Sequence, residues 1–171
     1  MVAQGKILQV FLSSKMNRGV LNEERIVARK AIEATEVSSC WSWEQYPAAG
    51  SYPPMDLCLA EVRRSDVLVL ILGRDLTVHT RQEYDLATKL GIPRSVFVKD
   101  SRLRPHTREF LTSIQSAVTY EKFQNLSELE TMVKRSLLSN MAYALRSQRG
   151  QPLIASSDPA PVSARILRGG A

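Results

Sequence analysis

The run Val67–Leu72 (VLVLIL) is six apolar residues without a polar interruption, too short for a buried helix and lacking the alternation of a strand with one wet face. Such a run needs cover on both sides, which is the environment of a central strand in a parallel sheet held between helical layers. The rest of the chain supplies those layers. Lys6–Ser13 (KILQVFLS) is a short β-favouring run ending in small polar residues, and Val37–Trp43, Ser95–Lys99 and Ala117–Tyr120 are further strand candidates. Helical patterns lie between them. Across about residues 20–34, Val20, Val27, Ala28, Ala31 and Ile32 share one face. Met55–Arg64 follows Pro54, which suits a first helical turn, and Thr80–Leu90 is stopped by Gly91 and Pro93. Pro105–Ile114 and a long helix marked by Leu126, Leu129, Val133, Leu137, Met141 and Ala144 complete the alternation. The expected fold is α/β: a flavodoxin-like, five-stranded parallel sheet sandwiched between helices.

A chain of 171 residues, 44% of them hydrophobic, can bury the core of one domain without a disulfide or metal staple. Cys40 and Cys58 form no CxxC pair, and His79 and His106 add no zinc-ligand spacing, so both cysteines read as reduced core thiols and no metal site is expected. The domain is expected over 1–145. Residues 146–171, rich in Pro, Ser and Gly and without an apolar period, read as a flexible linker or tail. Four arginines against one aspartate in that tail carry half of the net charge of +6. What remains is too dispersed for a specific nucleic-acid partner. No stretch has the roughly 18 apolar residues of a membrane span, and the first residues lack a signal-peptide pattern, so the expected location is cytoplasmic with no membrane partner.

In an open parallel sheet, ligands bind beyond the carboxyl ends of the strands. The loops there contain no GxGxxG, no P-loop and no Gly-x-Ser-x-Gly elbow. What they offer is a carboxylate. Glu83, in Thr80–Ala87 (TRQEYDLA), is expected in the first turn of the helix after the central strand, where the positive helix end favours an ionised group. A carboxylate so placed can attack a sugar anomeric carbon or stabilise the oxocarbenium ion left when a base departs. The spacing Thr80-x-x-Glu83 is equally that of a capping box, and it recurs at Ser127-x-x-Glu130, where no chemistry is expected.

Val10–Ser14 (VFLSS), Asn22–Arg25 (NEER), Pro54–Gly73 (PMDLCLAEVRRSDVLVLILG), Thr80–Ala87 and Gly91–Lys99 (GIPRSVFVK), in this order over about residues 5–115, carry a resemblance. Together they resemble the domain of unknown function found at the amino-terminal head of STAND-type NTPases and signalling proteins, a relative of TIR domains and nucleoside 2-deoxyribosyltransferases. The resemblance implies that Glu83 is the catalytic carboxylate and that Asp66, matching the aspartate that opens the third strand, is a substrate-binding residue. It also implies that Ser13 and Ser14 line the ribose or phosphate side of a pocket. Asp56 is a candidate for a sugar hydroxyl, and Trp43 and Tyr46 for stacking on a base. The segment Gly73–Thr80 (GRDLTVHT) departs from the Asp-x-Gly expected before Thr-x-x-Glu, with Arg74 as a candidate phosphate ligand.

Two functions follow as expectations. The first is a nucleotide- or nucleoside-binding domain that cleaves or transfers at an N-glycosidic bond in signalling or defence, with NAD a substrate and no bound cofactor. The second is a non-catalytic TIR-like signalling or oligomerisation module of a larger protein. A homo-oligomer and a partner domain beyond the tail accompany either.

Overall fold

The computed structural model describes residues 8–16, 20–45 and 52–148. Strands β1 (Leu8–Ser14), β2 (Ser38–Trp41), β3 (Val67–Leu72), β4 (Arg94–Lys99) and β5 (Tyr120–Phe123) form one sheet in the order β2-β1-β3-β4-β5, with every pairing parallel. Helices α1 (Asn22–Glu33), α2 (Pro54–Arg64), α3 (Val78–Lys89), α4 (Pro105–Ile114) and α5 (Leu126–Gln148) alternate with them, and a 3₁₀ turn at Trp43–Gln45 follows β2. This is the expected flavodoxin-like α/β sandwich.

The central run behaves as its composition requires. Val67, Val69 and Ile71 pack under α1 and α5 with Ala28, Ala31, Ile32, Leu129, Val133 and Leu137. Leu68, Leu70 and Leu72 pack on the other face with Val62, Tyr84, Ala87, Phe110 and Leu111 of α2, α3 and α4. All six are buried, so a polar residue at any of them would be stranded. Gly91 takes φ 69°, the left-handed conformation that lets the chain leave α3 where the sequence predicted a stop.

The last strand is displaced from its expected place. Ala117 and Val118 were expected in it, but their amides bond to the Ile114 carbonyl and close the end of α4, so pairing with β4 begins only at Tyr120. The long helix α5 continues through residues 146–148, past the expected domain end at 145. The remainder of the expected tail, 149–171, lies outside the described residues.

Candidate functional site

The site begins with strand alternation. At the carboxyl end of β1, successive side chains point to opposite faces, so Ser13 faces the α3 layer and Ser14 faces α1. Ser13 Oγ, 1% exposed, donates to Glu83 Oε2 at 2.5 Å. On the other face Arg25 Nη1 donates to Ser14 Oγ at 2.5 Å, while its Nε and Nη2 hold the Glu44 carboxylate, the latter at 2.7 Å. Arg25 is only 4% exposed, and this two-pronged grip supplies the pairing that a buried guanidinium requires. It holds the carboxylate of Glu44 down at about 2, against the burial that would raise it.

The capping-box expectation for Glu83 is overturned. Helix α3 starts at Val78, capped by Thr77, whose hydroxyl accepts from the Thr80 amide at 3.2 Å. Two threonines three residues apart can each cap a helix, and the earlier one is used, which moves Glu83 past the first turn and leaves its carboxyl free to reach β1. The helix dipole fades beyond that turn, so burial rules the group. With Glu83 8% exposed, desolvation pushes its pKa up to about 7, opposed by the Ser13 hydrogen bond, the Arg25 charge and the Cys58 thiol. The second expected box, Ser127-x-x-Glu130, shifts likewise: Asn125 Oδ1 accepts from the Glu128 amide at 3.0 Å, and Glu128 accepts from the Gln124 amide at 2.8 Å.

Glu83 lies on a cleft of about 300 Å³ at the carboxyl edge of β1. Trp41, Trp43, Pro54 and Met55 form much of its apolar wall, with Trp41 stacked on Phe11 at 4.9 Å. Ser14, Arg25, Cys58 and Thr80 add polar atoms. A carboxyl that changes charge near neutral pH, a fixed cation and an indole wall can together hold a small polar molecule with a flat, apolar part, and exchange a proton with it.

Of the residues expected in the site, Ser14, Trp43 and Glu83 line this cleft, and Ser13 supports Glu83 from beneath. Asp66 is not there. It accepts from the Gln9 amide at 2.9 Å at the amino end of β3, a strand's length of about 20 Å from the carboxyl edge. Its role is to tie β1 to the entry of β3. Arg74 also falls outside the cleft, in a separate groove with Arg102, Arg104 and Arg108, because the chain between it and Thr77 turns away before α3 begins. Asp56 is exposed in the first turn of α2 and does not line the cleft. Tyr46 lies outside the described residues. Cys40 is a buried core thiol pushed up to about 12 by desolvation, whereas Cys58, expected in the core, is half-buried on the cleft wall. Among the described residues no three His, Cys, Asp or Glu side chains gather as metal ligands, and no helix is long and apolar enough to cross a membrane.

The family model described as "Domain of unknown function (DUF4062)" matches residues 9–138. The chain belongs to this family. No curated protein matches it. Among solved structures, a conserved protein from Enterococcus faecalis V583 is similar at a TM-score of 0.52 and 13% identity, covering 76% of this chain and 99% of that one; at this identity the likeness is one of fold. The beta-glucoside phosphorylase BglX bound to 2FGlc is a more distant likeness, at a TM-score of 0.40 and 15% identity over 78% of this chain and 24% of its own.

Within this DUF4062 chain, Cys58, Arg25 and Glu44 are among the residues about the site that the sequence did not single out. Cys58 could have been found, since Met55, Cys58 and Val62 fall on one face of α2 by helical spacing. Arg25 stands in the polar set of α1, and nothing local distinguishes it from Arg29. Glu44 matters only because Arg25 reaches it across 19 residues of chain.

Proposed function

We propose that this domain binds a nucleotide or nucleoside, NAD included, and cleaves or transfers at its N-glycosidic bond in a signalling or defence setting, as a relative of TIR domains and nucleoside 2-deoxyribosyltransferases. The observation that carries this reading is Glu83. It is a buried carboxyl of near-neutral pKa, fixed by Ser13, at the floor of an aromatic-walled cleft on the ligand-binding edge of the sheet. In the ionised form Glu83 attacks the anomeric carbon or stabilises its positive charge while the carbon–nitrogen bond breaks and the electron pair leaves with the base. A nicotinamide leaves neutral, and other bases take up a proton. Water or a second acceptor then attacks the anomeric carbon, gives up a proton and restores the free carboxylate. Trp43 offers a face for a base and Ser14 a hydroxyl for the sugar.

One observation favours the alternative of a non-catalytic signalling module. Asp66, Arg74 and Asp56, which the resemblance and the loop reading assign to ligand contacts, lie away from the cleft. The test is to incubate the protein with NAD, nucleoside monophosphates and deoxynucleosides and to follow released base by chromatography. Base release by the wild type that falls at least about 100-fold in Glu83→Gln supports the enzyme, because the amide cannot supply the negative charge. Release that is absent from every substrate, or unchanged in Glu83→Gln, leaves the module reading in its place.

A further inference from the structure

The carboxyl edge of the sheet carries a second concavity, on the far side of the β3–α3 connection from the cleft. It encloses about 640 Å³ and is lined by Arg74, Arg102, Arg104, Arg108 and Lys122, with Leu103 and Pro105 its apolar members and no acidic side chain among the described residues that line it. Among the described residues none of these five cations takes part in an ion pair. Surface cations normally intermix with acids, and gathering five in one groove opposes folding by mutual repulsion. Asp100 and Glu109 flank the groove without lining it, and two other nearby acids are engaged elsewhere. Asp75, in the adjoining hollow, is already held by Lys15 at 2.8 Å and His106 at 2.6 Å, and Glu121 is paired with Arg135.

The frame of the groove is fixed. The Arg104 amide donates to the Arg74 carbonyl at 2.9 Å, joining the loop after β3 to the loop after β4. Thr107, fully buried, donates to the same carbonyl at 3.4 Å and accepts from the Leu76 amide at 3.1 Å. The Asp100 amide donates to the Phe123 carbonyl at 2.8 Å, which holds the β4 loop against β5. Three separate chain segments are thereby locked so that their cations share one opening, with the positive amino end of α4 beside it.

We infer that this groove is a binding site for a compact polyanion, a chain of linked phosphates. Four guanidinium forks suit phosphate oxygens in pairs, and several linked charges satisfy the cluster at once where a single phosphate does not. None of the described residues lining the groove is aromatic, so recognition falls on the phosphate chain and not on a nucleobase. The inference stands apart from the chemistry at Glu83.

Calorimetric titration of the full 171-residue chain with inorganic tripolyphosphate tests it. The expected result is saturable binding near one per chain, at least about tenfold tighter than orthophosphate and weakened by added salt. The exposed pair Arg104→Gln and Arg108→Gln, with near-ultraviolet dichroism to verify the fold, should weaken binding at least about tenfold. Glu83→Gln should leave it unchanged. The inference is overturned if tripolyphosphate does not bind at low ionic strength, or binds no better than orthophosphate. It also fails if Glu83→Gln abolishes binding, which would put the anion in the cleft, or if a single-stranded oligonucleotide of equal charge binds more tightly, which would make the groove a nucleic-acid track.

Discussion

The cleft at Glu83 and the groove at Arg104 lie on the same edge of one sheet, yet they are built on opposite principles. In the cleft the charges are few and nearly all spoken for: Arg25 is bound to Glu44 and Ser14, and Glu83 to Ser13. Its chemical character comes from removing water, which moves a carboxyl to about 7. In the groove the charges are many, exposed and without an ion-pair partner among the described residues, and character comes from their accumulation. Burial makes a proton-exchanging group; crowding of one sign makes an electrostatic well.

The largest consequence of this contrast is pH dependence. The folded state raises the pKa of Glu83 to about 7 from a usual value near 4.5, so folded protein holds a proton that unfolded protein has lost. The contribution is fully present below about 4.5 and declines as pH rises through 7, by up to about 3 kcal/mol. Denaturant melts from pH 4.5 to 8 should therefore show falling stability that Glu83→Gln flattens. An identical slope in both proteins would mean that Glu83 is solvated. Glu44, held at about 2, acts with the opposite sign and only in more acid solution, where its stabilisation is lost as pH falls.

A smaller effect separates buried from exposed arginine. Arg25→Ala removes the partner of Glu44 and Ser14 and should cost about 2 kcal/mol in chemical denaturation, less than a fully enclosed pair because Glu44 is 42% exposed and can rehydrate. Smallest of all, Arg102→Ala should change stability by no more than about 0.5 kcal/mol, since its side chain is exposed and pairs with nothing among the described residues. If the two arginines cost the same, the division between a dry site and a wet one fails.

The residues differ in how far their neighbours in sequence reveal them. The Val67–Leu72 strand was legible because complete burial on two faces leaves an uninterrupted apolar run, and Gly91 because ending α3 with positive φ favours glycine. The β5 strand was misplaced because Ala117 and Val118 look β-like while their amides serve the end of α4. In the site, Glu83 was found from a pattern whose structural meaning proved different: the cap belongs to Thr77, and only that three-residue offset lets Glu83 reach Ser13. Arg74 was assigned to the same pocket because it stands in the Gly73–Thr80 loop at the carboxyl edge, but that loop divides it from Glu83 between groove and cleft. Partners joined through space, such as Arg25 and Glu44, leave no local trace.

The bond between Ser13 and Glu83 spans 70 residues of chain. Because β1 pairs with β2 on one side and β3 on the other, that bond cannot close until the chain through α3 has been made and the crossover over β1 completed. A chain leaving the ribosome therefore carries β1 through the synthesis of α1, α2 and α3 before Ser13 meets its acid. Hydrogen exchange at the carboxyl end of β1 thus reports pairing with β3, whereas the cleft is complete only once α3 has also docked and brought Glu83 to Ser13.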